Sequence, residues 1–237
     1  MKNKILPFSL TLLFGVAVFF FIITVSIGLP IYLRFFYYAH INALNLPKTT
    51  GYDYQTIKTA FDEMMNYLTL PNFEFSTGAL KYSAEGASHF ADCKALFNLN
   101  LAVLIVSSTI IIAVLLLERF KVVSLFRPFK MNVSLISACC VLGIFLILAV
   151  IIAIDFNNAF IVFHKIFFAG KDNWNFYPEV DEVITILPAQ FFLNCAILII
   201  LSIILISVGI ILFQAIKRHK NNKKQENSQI VLTDNKK

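Results

Sequence analysis

The sequence predicts an all-α membrane protein. The expected form is a four-helix transmembrane bundle, both termini cytoplasmic, with a small helical extracytoplasmic cap formed by two outer loops. Three observations carry this. Of the 237 residues, 58% are hydrophobic and only 14% are charged, where soluble domains carry about a quarter charged. Four charge-free runs are long enough to cross a hydrocarbon core about 30 Å thick, which takes about 20 residues of helix. Lys and Arg are also divided unevenly between the segments that join those runs. The first observation excludes disorder and argues against a water-soluble globule. The second argues against a β-barrel, whose strands alternate apolar and polar residues.

The first run, Phe8–Leu33, has 26 residues and follows Lys2 and Lys4. A cleaved signal peptide is the other reading of such a segment. The run is too long for a signal core and ends in Pro30-Ile31-Tyr32-Leu33 without a small-residue cleavage site, so retention is expected. Gly28 and Pro30 are expected to bend or loosen its last turn. The other spans are Leu99–Leu117, Val133–Ile154 and Phe191–Phe213. Together residues 1–213 form a single integral membrane domain, and 214–237 reads as a basic, disordered cytoplasmic tail.

Basic residues set the orientation. Thirteen of the 20 Lys and Arg lie in residues 1–7, 118–132 and 214–237, and seven lie in the longer loops 34–98 and 155–190. The first set is therefore assigned to the cytoplasm and both long loops to the outside. The formal charge of +6 divides into +10 on the cytoplasmic segments and −4 on the outer loops. It is a topology signal, with attraction to anionic lipid as a by-product, and no argument for nucleic acid.

The outer loops hold the candidate chemistry. Tyr54, Ile57, Phe61, Met64, Met65 and Leu68 recur at helical spacing, with Asp53 as N-cap and Pro71 as stop, which predicts an amphipathic helix whose stripe serves packing rather than a substrate groove. A second helix is expected to begin near Ser83 and to run into the second span. Glu85, His89 and Asp92 share one of its faces. A His between carboxylates is expected to be held in one tautomer with a raised pKa. The bland alternative is a solvated face.

Asp155 ends the third span, and Phe160, Phe163, His164, Phe167 and Phe168 follow. That pattern predicts a short interfacial helix, with His164 either snorkelling or functional. Lys165 and Lys171 are placed to meet lipid phosphates, and Trp174 and Tyr177 fit an aromatic belt. Asp181 and Glu182 precede the stretch Val183–Leu187, and Pro188 opens the fourth helix. Both histidines thus fall at the outer membrane surface, where a pair can share acid and base work in acyl transfer on a lipid. His40, after Tyr37-Tyr38, reads as interfacial, and His219 lies in the tail. The four Cys form no CxxC pair, so neither a zinc knuckle nor a redox pair is indicated. No nucleotide-binding, zinc-protease or serine-hydrolase motif is present.

The run Ser88-His89-Phe90-Ala91-Asp92-Cys93-Lys94 resembles a signature of the bacterial lipoprotein intramolecular transacylase family. So does the stretch from Asp155 through His164, Trp174, Pro178 and Asp181 to the closing Leu187-Pro188-Ala189-Gln190-Phe191-Phe192. Length and four-span topology are similar as well. The resemblance implies a multi-pass plasma-membrane acyltransferase with its site at the extracytoplasmic face and no metal or other cofactor. Its partner is a diacylglyceryl lipoprotein, whose sn-2 acyl chain moves to the α-amino group of the N-terminal cysteine, giving the lyso form. Carried over, the family's histidines become His89 and His164 as catalytic residues. His89 is the expected base, oriented by Asp92 or Glu85, and His164 the acid or oxyanion partner. Asp155, Trp174 and Asp181 are expected to orient or position substrate. Phe90 and Cys93 depart from the commoner Met and Val, and Ala189-Gln190 stand where an acidic residue is expected. Two other classes stay open: a non-enzymatic membrane assembly partner, and a metal-dependent hydrolase using His89, Asp92 and His164 as ligands.

Overall fold

A computed structural model describes residues 5–128 and 131–234. Lys2, Lys4, Lys130, Lys236 and Lys237, which enter the orientation argument, lie outside the described residues. Helices α1 (Ile5–Tyr32), α2 (Arg34–Ala43), α3 (Leu46–Thr50), α4 (Tyr54–Thr69), α5 (Ala84–Arg119), α6 (Val133–Ile154), α7 (Phe156–Phe167) and α8 (Ala189–Asp234) follow one another, with a 3₁₀ turn at Glu182–Ile186 before α8. No strand occurs among the described residues. Helices α1, α5, α6 and α8 are long and apolar enough to cross a membrane.

The local signals act as physics requires. The Asp53 carboxylate accepts from Thr56 N–H at 2.8 Å and starts α4, satisfying one of the donors a helix start leaves unpaired. The Asp155 carboxylate accepts from Asn158 N–H at 3.0 Å and starts α7 one residue after α6 ends. Helix α5 spans 36 residues, or roughly 54 Å, so it projects well beyond the charge-free run that begins at Leu99. His89 sits ten residues before Leu99, about 15 Å along the axis. Pro188 lies one residue ahead of α8 rather than inside its first turn, and its carbonyl accepts from Phe191 N–H at 2.8 Å.

One expectation is corrected. The tail assigned to disorder continues α8 as far as Asp234. No Pro or Gly follows Gly209, so nothing in the chain stops the helix where the apolar run ends.

The chain divides into two compact units. The first comprises residues 1–23, 106–144 and 202–237. In it α1 and α6 approach closely at Gly15, where a Cβ would lie 2.6 Å from Val133 Cγ2. The Ser137 hydroxyl donates to Gly15 O at 2.7 Å beside that contact. Thr11 Oγ1 accepts from Phe126 N–H at 2.8 Å, and the Gln214 amide donates to Ser134 Oγ at 3.1 Å.

The second unit, residues 24–105 and 145–201, holds α2, α3, α4, α7 and the 3₁₀ turn. Its core is centred on Tyr37, which stacks on Phe61 with ring centroids 3.7 Å apart. The Tyr37 hydroxyl donates to Ile186 O at 2.8 Å. Tyr37 is therefore an anchor joining α2, α4 and the 3₁₀ turn. Ile57, Ala60, Phe61, Met64, Met65 and Leu68 are all buried, as the helical stripe requires.

Asp181, expected to orient or position substrate, fastens the start of α5. Its carboxylate accepts from Ser83 N–H at 2.7 Å and from the Ser83 hydroxyl at 3.1 Å. It is only 3% exposed, and a buried charge at a helix start is favoured by the helix dipole. Gly86 makes room for it: a Cβ there would lie 2.4 Å from Asp181 Oδ1 and 3.1 Å from Phe176. Gly86→Ala gains helix propensity of about 1 kcal/mol but displaces a doubly bonded carboxylate. The expected result is a net loss of about 1–3 kcal/mol, as overpacking typically costs. A lower melting temperature in detergent checks it.

Candidate functional site

A cavity of about 410 Å³ opens inside the second unit, within the range of about 300–1,000 Å³ typical of ligand pockets. Its wall is apolar except for the side chains of His89, His164, Trp174, Cys93 and Cys195. Phe61, Met64, Met65 and Leu68 of α4 line it as well as packing the core. The α4 stripe, expected to serve packing alone, therefore serves both.

Helices α5 and α7 bring the two histidines together. Their ring centroids lie 5.8 Å apart with an angle of 29° between the planes. They are 5% and 8% exposed. Phe168 and Phe176 meet the His89 ring edge-on at 4.7 and 5.4 Å. Trp174 lies 5.1 Å from His164. The Trp174 indole N–H donates to Lys171 O at 2.9 Å, so its ring is held as part of the cavity wall rather than only in an aromatic belt.

The nitrogens of the two imidazoles are used differently. His164 Nδ1 lies 2.8 Å from Phe160 O. A carbonyl can only accept, so in the neutral ring the proton sits on Nδ1 and Nε2 keeps a free lone pair. His89 Nε2 lies 3.4 Å from Cys93 Sγ, and its Nδ1 is buried without a hydrogen-bond partner.

The carboxylates do not hold His89. Glu85 is exposed. Asp92 is paired with Lys171 and accepts from the Asn173 amide at 3.0 Å. These contacts keep its carboxyl below the usual range. Lys171 is thus committed to Asp92, although the sequence suggested lipid phosphate. The acidic surroundings also fail to raise the imidazole pKa. His89 precedes the charge-free part of α5, and burial pushes it down to about 4, with the neighbouring His164 and Lys171 acting in the same direction and Asp92 opposing. Burial lowers His164 too, against the hydrogen bond to Phe160. Desolvation of the cation outweighs a partly buried carboxylate already paired with Lys171.

Asp155 caps α7 and so fixes the helix that carries His164, without reaching the cavity. His89, Asp92 and His164 do not form a ligand set. Among the described residues no group of three or more His, Cys, Asp or Glu is placed to hold a metal ion. Cys93 and the Phe168–Phe176 wall were missed from sequence. Their signal was the excess of Phe, 25 in all, and the i+4 spacing of Cys93 from His89.

Residues 12–192 match the model of a family described as lipoprotein intramolecular transacylase, Lit. The chain belongs to this family. The Lit structure from Bacillus cereus superposes with a TM-score of 0.78 at 27% identity, covering 94% of this chain and 100% of that one. Two variants of that Lit protein, with a histidine replaced by arginine or by alanine, match with TM-scores of 0.69 and 0.70 at 27% identity. Each covers 92% of this chain, and 93% and 94% of theirs. No curated protein sequence matches the chain. Membership in the Lit family makes the chain a multi-pass membrane acyltransferase, and it supports that reading over the assembly-partner and hydrolase ones.

Proposed function

We propose that the chain moves the sn-2 acyl group of a diacylglyceryl lipoprotein to the α-amino group of its own N-terminal cysteine, with His164 as general base and His89 as its partner. The observation that carries this is the facing pair of neutral imidazoles in an apolar cavity, one with its Nε2 lone pair free. The cavity accepts an acyl chain, and the ester and amine arrive on one molecule, so holding it bent supplies much of the barrier reduction.

The amine nitrogen attacks the ester carbonyl while His164 Nε2 takes its proton. His89 donates to the oxygen that gains charge. When the tetrahedral centre collapses, the C–O bond to glycerol breaks and His164 returns the proton to that oxygen. The order reverses the sequence expectation for the two histidines, because the bond to Phe160 leaves His164 the free lone pair. Trp174 orients the His164 ring, Asp92 fixes the 171–174 segment through Lys171 and Asn173, and Asp155 and Asp181 hold the helices that carry the pair. The uneven basic residues support cytoplasmic termini and a cavity at the extracytoplasmic face of a bacterial plasma membrane.

The test is mass spectrometry of lipoprotein N-terminal peptides from a strain lacking other N-acylating activity. With the chain present, N-acylated lyso-glyceryl peptides are expected. Unchanged diacylglyceryl peptides with free amines would sink the reading.

A further inference from the structure

Cys93 stands on α5 one turn after His89 and lines the same cavity. Its Sγ lies 3.4 Å from His89 Nε2. His89 is unlike the other described histidines of this unit. His40 and His164 each turn Nδ1 back to the carbonyl four residues earlier, at 2.6 and 2.8 Å. His89 instead reaches forward to a thiol and leaves Nδ1 buried and without a partner. The ring is 5% exposed, so no bulk water satisfies that nitrogen.

A neutral imidazole has one donor and one acceptor nitrogen. A thiol is a weak donor and a weaker acceptor, whereas an imidazole lone pair accepts strongly. The S–H therefore points at Nε2, and the ring proton is left on Nδ1. Burial pushes the Cys93 thiol up to about 12, so it stays protonated.

We infer that Cys93 is a positioning residue: its thiol donates to His89 Nε2 and fixes the tautomer in which the proton sits on the buried, unpartnered Nδ1. This rests on the proposed transacylation and adds the residue that sets where the proton of His89 sits. A residue that only packs at position 93 could be replaced by Ala or Val without moving the His89 proton.

The experiment uses the full chain in detergent with ¹⁵N-labelled histidine, reading the ring-nitrogen shifts of His89 at neutral pH without substrate. Nδ1–H is expected in the wild type, with a shift toward Nε2–H in Cys93→Ala. On a diacylglyceryl peptide, Cys93→Ala is expected to lower kcat about 10-fold, as loss of an orienting partner does, at unchanged KM, and Cys93→Ser to recover most of it. Nε2–H in the wild type, or the same tautomer and kcat in Cys93→Ala, overturns the inference. The tautomer is read without turnover, so a wild type with Nδ1–H but no transacylation sinks the transacylase reading and leaves the role of Cys93 standing.

Discussion

His164→Gln is expected to lower kcat by about 10²–10⁴-fold, the range for loss of a general base. The amide keeps a similar shape and polarity but has no lone pair that binds a proton at neutral pH. His89→Gln keeps an N–H donor, so its loss is expected to be smaller, with His89→Ala losing more. Steady-state rates on a diacylglyceryl peptide, with circular dichroism to show that each variant folds, check this order. Equal loss in His89→Gln and His164→Gln would contradict the division of roles, and full activity in both would end the two-histidine scheme. The glutamine pair separates a donor from a base, which alanine variants alone cannot do.

Stability is expected to fall as pH drops from about 6.5 to about 4. The sign follows from burial. His89 titrates near 4 in the folded chain against an ordinary 6.5, so below 6.5 the unfolded state binds a proton that the folded state refuses. Its contribution is complete above 6.5 and is lost as pH falls through the folded value. At about 1.4 kcal/mol per pH unit, the loss from His89 is on the order of 3 kcal/mol, and His164 adds to it in the same direction. Thermal unfolding between pH 4 and 7 measures the total, and His89→Phe should flatten the slope. A melting temperature that rises on acidification would mean that the carboxylates, not burial, govern the pair. The expected neutrality also suits the chemistry, since a protonated imidazole has no lone pair with which to take a proton from the amine.

The elements were largely legible because their causes are local. A capping carboxylate, a 3.6-residue stripe and a charge-free run each act within a few turns, so α4, the start of α5 and the whole of α6 fall where the pattern places them. The end of α8 was not legible, because the change from apolar to polar residues marks a change of solvent and not a break in the helix, and the short α2 and α3 gave no pattern of their own. The two histidines were legible too, through their motifs.

Partner choice was not. Asp92 is close enough in sequence to orient His89, and only the folded chain shows Lys171 and Asn173, some 80 positions on, occupying it. Nothing in the spacing says that Asp181 reaches back to Ser83, or that His164 answers to its own backbone while His89 answers to a thiol. The sign of the imidazole shift has the same origin. Sequence counts charges, but desolvation depends on which rings close around the site, and Phe168, Trp174 and Phe176 gather there only in three dimensions. The amino-acid order alone determined which helices are apolar enough for a membrane, where the capped and striped helices begin, and which residues carry titratable groups. Tertiary structure decided which of those groups lose water and which hydrogen bond each accepts. Burial and pairing are set by neighbours distant along the chain, and those two quantities fix where the proton sits.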